Sequence, residues 1–242
     1  MITPLISKKT LCSRSSLWLS YPMNIASFID HTVLKPEATL KDIEQLCTEA
    51  RQHHFFSVCI NPYWITSAKP LLTDSDVKIC TVVGFPFGAT LPQAKAHETI
   101  AAIAAGADEI DMVINIGAAL EGHWHFIEHE VHDVVTQAQG RVVKVILETC
   151  LLSPEQITSA CQACVRGGAS FVKTSTGFNI SGATIDAVKI MRATVGEKIG
   201  VKASGGIRNI ADAQAMIAAG ASRLGTSAGV AIATGGNGSS SY

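Results

Sequence analysis

Lys173 opens a run of three hydroxyls and a glycine, Lys173-Thr-Ser-Thr-Gly177, and it follows the apolar pair Phe171-Val172. A lysine in such a strand must be paired or lightly solvated, because an unpartnered buried ammonium is costly. Burial also loosens its proton, and a neutral lysine amine adds to carbonyls to form a Schiff base. A lysine at an exposed strand edge would carry the same letters, so the surrounding elements decide between the two readings.

Those elements alternate along the chain. Strands are predicted at 29–34, 57–61, 78–84, 109–115, 142–148, around Lys173, at 199–204 and at 223–227. Helices follow each of them. Thr39 is read as an N-cap, Pro62, Pro92 and Pro154 as first-turn prolines, and Gly106, Gly167-Gly168 and Gly220 as stops. One long helix is expected through Trp124 and Val131, and a short one over Ile25–Phe28. Eight strand-then-helix units in about 200 residues predict a single (β/α)8 barrel. An open doubly wound sheet is the alternative, but no G-x-G-x-x-G follows the first strand.

Alternation along each strand then assigns faces. Ile110, Met112 and Ile114 form an apolar outward set, which turns Asp111, Val113 and Asn115 inward. By the same rule Lys144, Ile146 and Glu148 face in, as do Lys173 and Ser175, Gly200, Lys202 and Ser204, and Asp30 and Thr32. The interior thus holds Lys144, Lys173 and Lys202 against Asp30, Asp111 and Glu148, whereas an interior used only for packing would be Val, Ile and Leu. Lys173 and Lys202 fall on neighbouring strands about 4.8 Å apart. Their mutual repulsion is expected to lower the pKa of one of them from roughly 10.4. Gly200 is expected to leave room for the lysine stems, and Asp111 to move protons.

Barrels often hold phosphate with the loops after strands seven and eight. Here those segments are Ser204-Gly-Gly-Ile-Arg208 and Leu224-Gly-Thr-Ser-Ala228, so Gly205, Gly206, Gly225 and Ser227 are the candidate cradle, with Gly177 completing it.

Taken in order, Ile29-Asp-His-Thr-Val-Leu34, Val58-Cys-Ile-Asn-Pro62, Glu109-Ile-Asp-Met-Val-Ile-Asn115, Val143-Lys-Val-Ile-Leu-Glu148, Phe171-Val-Lys-Thr-Ser-Thr-Gly-Phe178 and Val201-Lys-Ala-Ser-Gly-Gly-Ile-Arg208 resemble the bacterial deoxyribose-phosphate aldolases. The resemblance spans residues 24–233. It implies reversible cleavage of 2-deoxy-D-ribose 5-phosphate to acetaldehyde and glyceraldehyde 3-phosphate, without metal or other cofactor, by a cytoplasmic homodimer. On the matching positions it implies that Lys173 is the Schiff-base lysine, Lys202 its tuning partner and Asp111 the proton donor and acceptor, with Asp30 and Lys144 in support. Ala228 stands where many members carry a second serine. Tyr242 ends the chain as a tyrosine does in some members. Two other readings stay open: a phosphate-binding barrel isomerase or epimerase, and an inactive barrel that serves as a binding module.

Composition bounds the rest. The 242 residues are 47% hydrophobic and 16% charged with a net charge of -1, which gives no footing for a nucleic-acid or membrane-surface partner. An odd number of cysteines (seven) scattered through apolar segments suggests reduced thiols in a cytosolic protein, Cys161-x-x-Cys164 and Cys59 among them as buried structural thiols. Residues 1–22 are Ser-rich and without an acid, and are expected to be a disordered leader ahead of one domain at 23–234. Residues 235–242 are expected to be a flexible tail.

Overall fold

The computed structural model describes residues 24–238, so the leader and Tyr242 lie outside the described residues. Eight parallel strands close into a barrel in sequence order: β1 (Ile29–Val33), β2 (Ser57–Ile60), β3 (Lys78–Val83), β4 (Glu109–Val113), β5 (Val142–Ile146), β6 (Phe171–Lys173), β7 (Gly200–Ser204) and β8 (Arg223–Thr226). β8 pairs back onto β1, with Asp30 opposite Gly225. Around them lie α1 (Leu40–His53), α2 (Ile65–Leu71), α3 (Pro92–Ala105), α4 (Ile116–Leu120), α5 (Trp124–Gln137), α6 (Pro154–Arg166), α7 (Ile185–Val195), α8 (Ile210–Ala218) and α9 (Gly229–Thr234).

Local chemistry places these elements where the letters put them. The Thr39 amide donates to Asp42 at 2.7 Å at the start of α1, and Ser153 and Gln156 cap α6 reciprocally. The long helix expected through Trp124 is two helices, α4 and α5, because Gly122 turns the chain at φ 76° between them. Residues 235–238 fold back on the domain: Asn237 pairs with Asn209, and the Gly238 amide donates to Arg208 O at 2.9 Å.

The outward strand residues Ile110, Met112, Val143, Val145, Val172 and Val201 bury against helix residues such as Ile127, Val131, Ile157 and Val188. Burying such side chains is worth about 1.5–3 kcal/mol each, and this layer is the main source of stability. The barrel interior has only a small apolar cluster, of Leu34, Cys59, Cys80 and Val82 with Phe85 beside it. Val113 and Ile146, paired across β4 and β5, are also buried on the inward face, and charged and hydroxyl side chains take most of the other inward positions.

Gly200 corrects one expectation. A Cβ there would lie 2.1 Å from the Phe171 ring, so the missing side chain makes room for that ring at the base of β6 and not for the lysine stems. Phe171 and Gly200 pair across β6 and β7 in a closed barrel that cannot splay to relieve a clash. We expect Gly200→Ala to cost about 1–3 kcal/mol through overpacking, read as a lower urea midpoint with an unchanged slope. An unchanged midpoint would show that the ring moves freely.

Candidate active site

Asp111, from the middle of β4, is the centre of the interior. Its Oδ1 accepts from Lys144 Nζ at 2.8 Å, and its Oδ2 lies 2.8 Å from both Lys173 Nζ and Lys202 Nζ. Cys80 Sγ adds a contact of 3.2 Å to Oδ1. Lys202 is held on its other side by Asp30 Oδ2, while Asp30 Oδ1 accepts from Ser57 Oγ at 2.7 Å and from Arg223 Nη1 at 2.9 Å. Glu109 closes the base of the cluster, 2.7 Å from Lys144 and 3.2 Å from Arg223. The Arg223 guanidinium lies over the Phe56 ring at 3.4 Å, a cation–π contact at the floor of the barrel.

Lys144, Lys173, Lys202 and Arg223 therefore face Asp30, Glu109 and Asp111, four cations against three carboxylates. Burial would push Asp30, Asp111, Lys144, Lys202 and Arg223 toward neutrality, and the reciprocal contacts reverse that. Burial acts most strongly on the Lys202 ammonium to lower its pKa, but Asp111 and Asp30 outweigh it and hold the pKa well above the ordinary lysine value. Lys144 is raised in the same way, chiefly by Asp111 against its own burial. Asp111 is held well below the carboxylate range because Lys144, Lys173 and Lys202 together overcome its burial, and Asp30 is lowered likewise by Lys202, Lys144 and Arg223. Repulsion between the two neighbouring lysines thus does not lower Lys202, since a carboxylate oxygen sits between the ammonium groups.

This has a consequence for stability. Carboxylates with depressed folded pKa values stabilise the fold fully above their unfolded value of about 3.9, and that contribution is lost as pH falls through the folded value. We expect the urea midpoint to hold steady down to about pH 5 and to fall below about pH 4 as Asp30 and Asp111 begin to favour the unfolded chain. A midpoint unchanged at about pH 3 would contradict the charged network.

The sequence-derived residues come together with three changes. Glu148, expected among the lysines, is turned at the end of its strand into a left-handed conformation (φ 57°) and binds Thr176 instead, accepting from its amide at 3.2 Å and from its hydroxyl. The Phe178 amide donates to the same hydroxyl at 3.1 Å, so Glu148 fixes the loop that carries Gly177. Gly225 belongs to β8 and not to the loop after it. A Cβ there would meet Ser204 Cβ at 2.9 Å and Lys202 Cε at 3.0 Å, so this is the glycine that makes room for a lysine stem. Ser227 lines a separate cavity of about 500 Å³ with Thr32, Lys35, Gln45 and Ala231, and that lining includes none of Lys173, Gly177, Gly205 or Gly206.

Gly177, Gly205 and Gly206 share a left-handed backbone that glycine allows. All three have positive φ (90°, 84° and 80°), and a Cβ on Gly205 would be 3.6 Å from Gly177 Cα. Gly182 packs so closely on Gly205 that a Cβ would lie 2.2 Å from its carbonyl oxygen, which joins the loops after β6 and β7.

Cys59, Cys80 and Asp111 place three donor atoms within 4.8 Å of one another. Three ammonium groups already contact Asp111, and burial pushes the Cys80 thiol well up, so the group is poorly suited to a cation. Cys161 and Cys164 are buried in α6 with thiols pushed up by burial, as structural cysteines are.

A parallel barrel in which lysine amines share one carboxylate, capped by glycine loops at the strand ends, defines an enzyme of the barrel aldolase class. The chain belongs to the DeoC/LacD family of aldolases, whose model matches residues 25–235. It is 53% identical over 221 residues to the deoxyribose-phosphate aldolase of Exiguobacterium sp. strain AT1b, covering 91% of this chain and 100% of that one. The Streptococcus mutans deoxyribose-phosphate aldolase is 54% identical over 220 residues, with the same two coverages. The solved tetrameric deoxyribose phosphate aldolase of Aeropyrum pernix superposes with a TM-score of 0.81 at 35% identity, covering 87% of this chain and 89% of that one.

Proposed function

We propose that the chain is a deoxyribose-phosphate aldolase that acts through a Schiff base on Lys173. The observation that carries this is the Asp111 oxygen placed 2.8 Å from both Lys173 and Lys202 at the base of the glycine loops. Lys173 has one carboxylate partner where Lys202 has two, and with Lys173 neutral the cluster balances at three charges of each sign. The neutral amine adds to C1 of the open-chain sugar and loses water to give an iminium. Removal of the C3 hydroxyl proton then breaks the C2–C3 bond, glyceraldehyde 3-phosphate leaves, and the electron pair is held as an enamine on Lys173. Asp111, strongly ionised, is the acceptor for that proton and hands one back to the enamine carbon; hydrolysis frees acetaldehyde. Lys202 keeps the site positive for the carboxylate and for the developing alkoxide. Asp30 and Lys144 hold Lys202 and Asp111 in place, and Gly177, Gly205 and Gly206 form the phosphate cradle.

The family resemblance extends this reading to deoxyribonucleotide catabolism in the cytoplasm by a homodimer, and light scattering separates that dimer from the tetramer of the Aeropyrum pernix protein. The chemistry itself is tested by incubating the protein with acetaldehyde, reducing with borohydride and mapping the adduct by peptide mass spectrometry. An aldehyde-dependent adduct on Lys173 is expected. An adduct on Lys202 or Lys144 would reverse the roles, and no adduct in folded protein would remove the Schiff-base reading in favour of an isomerase or an inactive barrel.

A further inference from the structure

Ser175 is fully buried, and its Oγ is one of two buried side-chain polar atoms without a hydrogen-bond partner among the described residues. The other, His31 Nδ1, lies against Gly229 and Phe55 on the outer side of β1, with its ring fixed through Nε2 to Glu49. Ser175 is on the inner side. The ladder continues past β6, with the Thr174 amide donating to Lys202 O at 3.0 Å and Thr174 O accepting from Thr149 at 2.9 Å, so the alternation that turns Lys173 inward turns Ser175 inward too.

Its backbone is tightly set. Ser204 Oγ donates to Ser175 O at 2.6 Å, and Thr174 and Ser204 exchange two further bonds of 3.1 and 3.2 Å. Every neighbouring hydroxyl has a partner: Thr174, Thr176 and Ser204 are all bonded. Buried hydroxyls in native proteins nearly always find partners, so one without a partner on the inner side of a catalytic barrel calls for an explanation.

The order along the chain points to a ligand group as that explanation. Ser175 lies between the nucleophile at Lys173 and the cradle glycine Gly177, about 6.6 Å of extended chain from the first. A sugar phosphate anchored at C1 by Lys173 and at its phosphate by Gly177 has its C4 hydroxyl in that interval, since the C3 hydroxyl belongs to Asp111. We propose that Ser175 Oγ hydrogen-bonds the C4 hydroxyl, which is the 2-hydroxyl of the released aldehyde, and so sets the enzyme's preference for a hydroxylated acceptor. This inference rests on the aldolase reading above.

The test runs the reaction in the synthetic direction, with acetaldehyde as donor and either D-glyceraldehyde 3-phosphate or 3-phosphooxypropanal, which lacks the 2-hydroxyl, as acceptor. Ser175→Ala should lower kcat/KM for glyceraldehyde 3-phosphate by roughly three- to tenfold, the weight of one neutral hydrogen bond, and leave the deoxy acceptor within about twofold. Equal losses on both acceptors, or none on either, would overturn the assignment. Borohydride trapping of acetaldehyde needs no C4 hydroxyl, so the variant should give the same Lys173 adduct as the parent protein. Loss of that adduct in the variant alone would mean that Ser175 acts on the nucleophile, which also overturns the proposal. Loss in the parent protein would instead be failure of the Schiff-base reading.

Discussion

Replacing Lys173 with methionine is expected to abolish cleavage of deoxyribose 5-phosphate, by at least about 10⁴-fold in kcat, while leaving a folded protein. The loss follows from chemistry, because no other amine has the same placement. Lys202 binds two carboxylates and Lys144 three, and both are held charged above the ordinary lysine range, so neither supplies a free electron pair at neutral pH. Retention of the fold follows from the charges. Without Lys173 the interior keeps Lys144, Lys202 and Arg223 against Asp30, Glu109 and Asp111, which is a balanced set. Methionine fills most of the vacated volume without a charge. Cleavage rates by a coupled assay, with a urea midpoint alongside, decide both halves. Near-normal turnover in the folded variant would remove Lys173 from the chemistry.

Much of this site could be read from letters because a barrel strand converts sequence parity into direction. One apolar set per strand was enough to place Asp111, Lys144, Lys173, Lys202 and Asp30 in a single interior, and all five are there. Glu109 obeys the same parity, two residues before Asp111, and extending the alternation by one step would have found it. Arg223 shares a face with Gly225 in the same way, and Leu224 between them, buried in the outer core, would have turned it inward by the same rule.

Other features left no such signal. The partner of Glu148 depends on a left-handed residue that breaks alternation at the strand end. The role of Gly200 depends on a ring from the neighbouring strand. Lys95 on α3 and Glu130 on α5 are charged helix residues, yet both are buried and paired behind β4. There Lys95 donates to Val113 O at 2.7 Å, and Glu130 accepts from the Asn115 amide at 3.0 Å. Burial pulls Lys95 down and Glu130 up against their mutual attraction. That pair braces the end of the strand that carries Asp111, and it is visible only once two helices have packed.

Asp111→Asn should have the opposite profile from the lysine substitution: a loss in both rate and stability, with a stability loss that alkali partly repairs. Removing the proton acceptor is expected to lower kcat by about 10²–10⁴-fold. The substitution also leaves Lys144, Lys173, Lys202 and Arg223 facing only Asp30 and Glu109, and breaking a buried ion cluster on one side costs about 3–5 kcal/mol. The pH dependence separates this cause from simple mispacking. In the parent protein Asp111 is the largest influence that raises Lys202 and Lys144 against burial. With asparagine there, burial is less opposed and the folded-state lysine values move down toward or below the unfolded value of about 10.4. Where they fall below it, the unfolded chain binds more protons than the folded one, so stability rises with pH. The urea midpoint of the variant should therefore climb between about pH 7 and pH 9.5 while that of the parent protein stays level. A variant whose midpoint runs parallel to the parent's across that range would show that the carboxylate does not hold the lysines charged.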